Sequence, residues 1–292
     1  MINIGINIPF ILRNYTSGVT PPPLLDYLPY TTNLSSAWSS QRVVVSGYVG
    51  SLIRLRRSSD NSESDFGYLV GDGLIDNASI VTWLAGATGY YVKIYDQNGS
   101  NHYIQNTTTL QPERYNNRPY SNDNKMMVMT NTYSTENYTM IDVSEGVGNT
   151  NRVPVSDTTS NPPYSGLMYS FLPNSYNRQY YYFGDGNTSG RYYIQYVNDP
   201  LNHIVLAHGL GGDKDTNIIG YNGIKIRDTV PTVASSPTGW YKDVNASWFN
   251  KAAGYTIYFK GYLDERYLFS QLLNDTNLGT VETYINDKYA VY

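Results

Sequence analysis

Carboxylates that could bind a divalent cation occur in two short clusters of the sequence. Asp60, Glu63 and Asp65 form the first cluster, and Asp213 with Asp215 forms the second. Carboxylate oxygens of this kind are the ligands that Ca²⁺ takes in proteins. Carboxylates this close together in polar turns are, however, commonly solvated. We adopt that interpretation and expect no metal site.

A glycine-rich segment, residues 208–213 with the sequence HGLGGD, resembles a phosphate-binding loop. No Gly-Lys-Thr and no helical pattern follow it, so the segment is better interpreted as a hairpin turn. His102, His203 and His208 lack the spacing of metal ligands. No pattern in the sequence indicates a cofactor.

Short strands are the elements that must position these residues. Alternating or β-branched runs separated by Gly, Asn, Asp and Ser predict strands at residues 42–49, 52–57, 90–95, 125–130, 166–172, 179–183, 191–197, 203–208, 218–226 and 255–263. Residues 78–85 and 264–273 are predicted to form short helices, and residues 107–124 a long surface loop. Many strands with little helix predict an all-β sandwich or barrel.

Composition excludes two classes of partner. The net charge is −4, and there is no basic stripe that could bind nucleic acid. No apolar run approaches the ~20 residues of a membrane-spanning helix. The chain has no cysteine, hence no disulfide, and it contains 31 Tyr against 7 Phe, which suits half-buried sheet faces and contact surfaces. Arg54, Arg56 and Arg57 alternate along a predicted strand and are interpreted as a solvated face.

The N-terminus predicts a separate docking segment. Residues 1–12 have a period of two, with the apolar residues Ile2, Ile4, Ile6, Ile8 and Phe10. Residues 13–23 end in three prolines and predict a stiff linker. A strand cut off from its domain in this way is expected to dock on another chain, although it could also fold back on its own domain. We therefore divide the chain into an anchoring arm, residues 1–23, and a sandwich domain, residues 24–292.

Two segments carry a family resemblance. Residues 50–60 read GSLIRLRRSSD and residues 92–102 read VKIYDQNGSNH. They resemble the catalytic domain of α-L-arabinofuranosidase B, glycoside hydrolase family 54. Residues 166–169 (GLMY), the hairpin at 204–226 and residues 259–263 (FKGYL) continue the likeness, so that it covers about residues 25–292. The resemblance implies a concanavalin-like β-sandwich, or jelly roll, with a cleft on one face.

The resemblance also implies where the catalytic groups should stand. A retaining glycosidase needs two carboxylates about 5–5.5 Å apart. The family's nucleophile aligns with Asn198, which cannot form a glycosyl ester, and a shift of one residue would substitute Asp199. The acid/base segment aligns with residues 247–249, which have no carboxylate, and Asp243 is the nearest one. We therefore expect no catalytic residues.

The residues at the expected cleft suit a sugar-binding site. Aromatic rings stack on sugar C–H faces and amides bond to hydroxyls. The predicted glycan-binding residues are Tyr180, Tyr181, Asp185, Tyr196, Asn198 and Trp248. The same composition also suits a protein contact surface. The alternative function is an active glycoside hydrolase or polysaccharide depolymerase that uses Asp185, Asp199 or Asp243.

An anchoring arm, a proline linker and a carbohydrate-enzyme fold without its acids are together typical of tailed-phage virion appendages. We therefore predict a non-catalytic virion protein, such as a head fibre, decoration protein or tail-fibre component, exposed outside the host cell. Its expected partners are other virion proteins, further copies of itself and a cell-surface glycan. A third hypothesis is a secreted bacterial glycan-binding protein.

Overall fold

The computed structural model describes residues 27–122, 125–131, 139–145 and 260–289 with their side chains, and between residues 133 and 248 it also describes the backbone of the strands named below. The strands of the first part are β1 (Leu34–Ser39), β2 (Ile53–Arg57), β3 (Glu63–Phe66), β4 (Gly89–Ile94), β5 (Tyr103–Ile104), β6 (Glu113–Tyr115), β7 (Arg118–Asn122) and β8 (Met127–Met129). The later strands are β9 (Tyr133–Ser134), β10 (Tyr138–Gly146), β11 (Arg152–Ser156), β12 (Ser165–Leu172), β13 (Arg178–Asp185), β14 (Arg191–Gln195), β15 (Ile204–Leu210), β16 (Ile218–Tyr221), β17 (Ile224–Arg227), β18 (Asp243–Val244), β19 (Ser247–Trp248) and β20 (Lys260–Phe269). The helices are α1 (Asn77–Leu84), α2 (Asp275–Tyr289) and a 3₁₀ turn (Thr108–Leu110).

The described strands pair in antiparallel fashion, which confirms the predicted all-β class. The large sheet has the order β17-β16-β15-β10-β20-β7-β6-β4-β5-β8-β19, with β1 beside β20 and β2 between β3 and β4. A second sheet has the order β11-β12-β13-β14, and β9 pairs with β18. No helix in the described part of the chain is long and apolar enough to cross a bilayer.

Strand β20 is the centre of the large sheet. One edge pairs with β10 along its length, while the other edge pairs first with β7 and then with β1. Val143 lies opposite Glu265 and Ser144 opposite Leu263, so that Asp264 is the extra residue of a β-bulge. The bulge lies where the second edge changes its partner from β7 to β1.

An apolar cluster packs between this central part of the sheet and helix α2. The buried members from the strands are Leu34, Ala37, Ile141, Val143, Tyr267 and Phe269, and those from the helix are Leu278, Val281 and Ile285. Most residues of helix α2 are polar, but its buried residues recur every three or four positions and therefore lie on one face of the helix. Burial of that stripe fixes the helix against β1, β10 and β20.

Four predictions of local structure were wrong, and each has a physical reason. Residues 264–273 are not a helix, because β20 continues to Phe269 and the helix begins at Asp275. Residues 107–124 are not one loop, because Asn116 and Asn117 both have positive φ and form a tight turn between β6 and β7. Residues 218–226 form two strands, separated by the turn pair Asn-Gly.

The fourth error concerns residues 42–49, which form no strand. Their valines at 43–45 are buried, but the backbone bonds to separate segments instead of to one neighbouring strand. Leu28 N–H donates to Val44 O at 2.9 Å, and Val43 N–H donates to Gly73 O at 2.8 Å. The neighbouring strand β1 was missed, since its Ser-rich sequence LSSAWS shows little alternation.

Candidate carbohydrate-binding site

Three of the predicted glycan-binding residues lie on one strand. Tyr180, Tyr181 and Asp185 belong to β13, and in backbone register Tyr181 lies opposite Tyr169 of β12 and Tyr192 of β14. Their side chains are outside the described residues. The structure thus brings these three positions together along the middle of the four-stranded sheet.

Trp248 lies in the other sheet, on β19, where it is opposite Met127 of β8. Strand β19 contacts β11, which is the outermost strand of the sheet that contains β13. Tyr196 and Asn198 lie outside the described residues. So do the arm residues Ile2, Ile4, Ile6, Ile8 and Phe10, together with Asp199, Asp213 and Asp215.

Three consecutive charged residues of β20, Asp264, Glu265 and Arg266, form buried ion pairs, each with a different segment of the chain. Glu265 accepts two hydrogen bonds from Arg42, Nε to Oε1 at 2.7 Å and Nη2 to Oε2 at 3.0 Å. Ser39 Oγ and Tyr267 Oη also donate to this carboxylate. Burial lowers the pKa of Arg42, but the combined attraction of Glu265 and the neighbouring tyrosines outweighs burial and raises that pKa above its ordinary value.

Arg266 and Asp264 continue this pattern. Arg266 donates to both oxygens of Asp142 on β10. Arg118 at the start of β7 donates to both oxygens of Asp264, each at 2.6–2.7 Å, and to Glu145 Oε2 at 2.6 Å. In each of these pairs the arginine donates to oxygens of the carboxylate inside the sheet. We infer that these ion pairs stabilise the fold at the bulge.

The carboxylates of the first acidic cluster also face arginines. Asp65 accepts from Arg54 Nε and Nη2 at 2.8 Å, and Asp60 accepts from Arg57 at 2.6 and 3.1 Å. The hydrogen bonds from Arg54 and Arg57 lower the pKa values of Asp65 and Asp60. Among the residues described with side chains, no three carboxylates or histidines converge as metal ligands do.

The sequence analysis interpreted the arginines of this region as a solvated face, but not all of them are exposed to solvent. Arg54 is partly exposed, but Arg56 is buried. Its Nε donates to Gln111 Oε1 at 2.7 Å and its Nη1 to Asn61 Oδ1 at 2.8 Å. The guanidinium also lies 4.7 Å from the ring centroid of Tyr90. Arg56 therefore connects β2 to the segment before β6.

The most recognisable sequence segment, residues 92–102, forms a structural turn. Asp96 Oδ1 accepts from Ala37 N–H at 3.0 Å, and its Oδ2 accepts from Asn101 N–H at 3.1 Å. Gln97 accepts from Val44 N–H at 2.7 Å, and the Asp96 N–H donates to His102 Nδ1 at 3.0 Å. These side chains hold β1 and residues 42–45 against β4. His102 therefore has a structural role in this turn.

Family comparison extends the same resemblance. A sequence model of the α-L-arabinofuranosidase B catalytic domain matches residues 27–191, more than half of the chain. A search of curated protein sequences finds no significant match.

Solved structures give the fold. A glycoside hydrolase family 54 α-L-arabinofuranosidase variant soaked with 4-nitrophenyl α-L-arabinofuranoside superimposes with a TM-score of 0.67 at 16% identity, covering 88% of this chain and 63% of that chain. The same family's enzyme soaked with a cyclic sulfate inhibitor gives a TM-score of 0.66 at 15% identity. An arabinofuranosidase complexed with arabinofuranosyl-α-1,2-xylobiose gives 0.63 at 16% identity.

In each of these three matches the chain spans 63% of the length of the solved structure. The shared architecture is the β-sandwich of the arabinofuranosidase catalytic domain, as the resemblance implied. Together with the sequence match over residues 27–191, this assigns the chain to the α-L-arabinofuranosidase B catalytic-domain family.

Proposed function

We propose that this chain is a non-catalytic member of its family that acts by binding. In this proposal it is a structural or adhesion protein of a phage virion, and its sandwich domain binds a glycan or covers the particle surface. The proposal rests on the residue that the resemblance aligns with the family nucleophile. In that alignment the residue is Asn198, and an amide would be unable to form the covalent glycosyl intermediate of a retaining enzyme.

Two further observations support a loss of catalysis. The sequence match to the family ends at residue 191, before the nucleophile segment at 196–199 and the acid/base segment at 247–249. Three buried carboxylates of the large sheet pair with arginines in the part described with side chains. They are Asp142, Asp264 and Glu265. Each of these carboxylates is bound to an arginine inside the sheet, and in this proposal all three have a structural role.

The proposed glycan contacts are the residues that the resemblance places at the cleft. Tyr180, Tyr181, Tyr196 and Trp248 would supply aromatic faces, while Asp185 and Asn198 would bond to hydroxyl groups. Binding of this kind needs no proton transfer, and so it tolerates the absence of the paired carboxylates.

The virion assignment rests on the N-terminal pattern. An alternating apolar arm followed by a proline linker suits insertion into a neighbouring protein, with the sandwich held outside. The partners in this proposal are other virion proteins and copies of the same chain. Because this step is an analogy of architecture, it needs a test of its own, directed at the arm.

A second candidate is an active glycoside hydrolase, and membership of an enzyme family favours it. It would need two carboxylates at the cleft. Asp185, Asp199 and Asp243 are the candidate carboxylates for this function.

Hydrolysis and binding assays on the full-length chain separate the two candidates. We expect no release of 4-nitrophenol from 4-nitrophenyl α-L-arabinofuranoside and no shortening of arabinose-containing polysaccharides, together with binding on a glycan array. Trp248→Ala should weaken that binding. Turnover that disappears in Asp199→Asn or Asp243→Asn, but not in Asp65→Asn, would show that the chain is an enzyme.

A further inference from the structure

Three tyrosines form a row across β6, β7 and β20 of the large sheet, none of which carries a predicted cleft residue. The ring centroids of Tyr115 and Tyr120 are 5.3 Å apart, and those of Tyr120 and Tyr262 are 5.0 Å apart. The row runs from an exposed end to a buried one, because Tyr115 is 49% exposed and Tyr262 only 6%. A large aromatic side chain half exposed at a hairpin end is a surface anchor and not a core residue.

Polar groups lie along the same row. Arg118 stacks over the Tyr262 ring, with its guanidinium carbon 4.1 Å from the centroid. It also bonds to Glu145 and Asp264. Burial lowers the pKa of Arg118, but the attraction of Asp264 and Glu145 outweighs this and keeps the pKa above its ordinary value. The side chain of Glu145 is 20% exposed, and its Oε2 accepts from Arg118 beside the rings.

The hairpin that carries the exposed ring has a tight turn with a further hydrogen bond to the segment after β1. Asn116 and Asn117 have φ values of 50° and 64°, as a two-residue hairpin turn requires, and Tyr115 lies directly opposite Arg118. Gln41 Nε2 donates to Asn117 O at 2.6 Å, which fixes the turn to the end of β1. A ring on such a turn loses little conformational freedom when it binds a ligand.

We propose that Tyr115, Tyr120, Arg118 and Glu145 form a second carbohydrate-binding surface, here named the tyrosine row. A sugar ring stacks its C–H face on Tyr115 and Tyr120, and its hydroxyls bond to Glu145 and Arg118. The choice of a sugar as the ligand class rests on the proposed function. The location is independent of it, because none of these residues belongs to the predicted cleft.

Charge selects the kind of sugar. Arg118 donates to both Asp264 and Glu145, so that two carboxylates share one guanidinium next to the rings. Carboxylates in this position disfavour an anionic sugar such as a uronate. The ligand that suits the tyrosine row is a neutral glycan, a single sugar residue of which contacts both tyrosine rings.

Affinity electrophoresis of the full-length chain through gels that contain a neutral polysaccharide tests this surface. Arabinan and arabinoxylan are suitable probes, with polygalacturonate as the anionic comparison. Tyr115→Ala should weaken retardation by the neutral polymers roughly three- to tenfold, as expected for loss of one aromatic stacking contact. Tyr115→Phe keeps the ring and should bind like the wild type.

Controls separate the tyrosine row from the cleft and from folding. Because Tyr115 is half exposed, its alanine variant should unfold at the same temperature as the wild type. If Trp248→Ala abolishes retardation while Tyr115→Ala leaves it unchanged, the tyrosine row is wrong and the cleft proposal stands. If no glycan retards the wild type, both the tyrosine row and the cleft proposal are wrong. If Tyr115→Ala changes only self-association in sedimentation, the row is a protein contact and not a sugar site.

Discussion

Arg266 and Asp142 lie directly opposite each other on β20 and β10, and both side chains are excluded from solvent. The guanidinium Nε and Nη2 donate to the two carboxylate oxygens at 2.5 and 3.0 Å, with side-chain exposures of 1% and 0%. Arg266 Nη1 also donates to Tyr103 Oη, and burial raises the pKa of that tyrosine to about 12. The centre of this sheet is therefore ionic and depends on pairing across strands that are distant in sequence.

Removing one partner of this pair should be severely destabilising. Asp142→Asn leaves a buried guanidinium without its counter-charge, and we expect a loss of about 3–5 kcal/mol in the free energy of unfolding. Urea unfolding of the full-length wild type and variant measures this loss in the free energy of unfolding. The double variant Asp142→Leu with Arg266→Met should recover most of the loss. Asp65→Asn, which breaks a pair with 38% exposure on both sides, should cost less than about 1 kcal/mol. Equal losses for the two single variants would contradict the argument.

The end of helix α1 offers an opposite test, in which a substitution stabilises. Ala85 caps the helix in the left-handed region with φ 49° and ψ 40°, where a Cβ is strained. Ala85→Gly should raise the free energy of unfolding by about 1 kcal/mol. Gly86 is the matched control, because its φ is 86° and no neighbouring atom lies within 4 Å of the place that a Cβ would occupy. Gly86→Ala should therefore be destabilising through backbone strain alone. A gain in both variants would refute the strain argument.

The pH dependence of stability should include a contribution from His102. Burial first, and Lys93 second, lower the pKa of His102 in the folded chain. A base with a lowered folded pKa binds its proton more readily when unfolded, so stability falls as pH drops from about 7.5 through the ordinary histidine pKa. The unfolding temperature of the wild type should be lower at pH 5.5 than at pH 7.5. This difference in unfolding temperature should be smaller in His102→Gln, whose amide oxygen can still accept from Asp96 N–H. Lys93→Met should reduce the same difference in part. An unchanged pH dependence in both variants would exclude His102 as the cause.

Local patterns predicted those elements whose stability is local. The alternating runs of β2 and β4 and the start of α1 were found close to their predicted bounds, because their apolar faces and turn residues are adjacent in sequence. The sequence Asp264-Glu265-Arg266 was misinterpreted as the start of a short helix. Consecutive charges normally lie in water, and the partners that neutralise them here are more than a hundred residues away.

The candidate sites differ in the same way. Residues 92–102 were recognised as a motif, yet only the hydrogen bonds of Asp96 and Gln97 show that the motif fixes the fold. The tyrosine row was missed, because Tyr115 and Tyr262 are 147 positions apart by their numbers. One signal was available: the pair Asn116-Asn117 is a hairpin turn, and it would have placed Tyr115 opposite Arg118.

The anchoring arm gives the last prediction. If residues 1–12 insert as a strand into a neighbouring protein, a charge on the apolar positions should prevent assembly without unfolding the sandwich, because a buried unpaired carboxylate is strongly disfavoured. We expect the full-length double variant Ile4→Asp with Ile6→Asp to unfold at the wild-type temperature and to lose self-association, or incorporation into particles, in sedimentation. Asn3→Asp with Asn7→Asp adds the same charge at the alternate positions and should assemble normally. A lowered unfolding temperature in the isoleucine variant would instead place the arm within the core of its own domain.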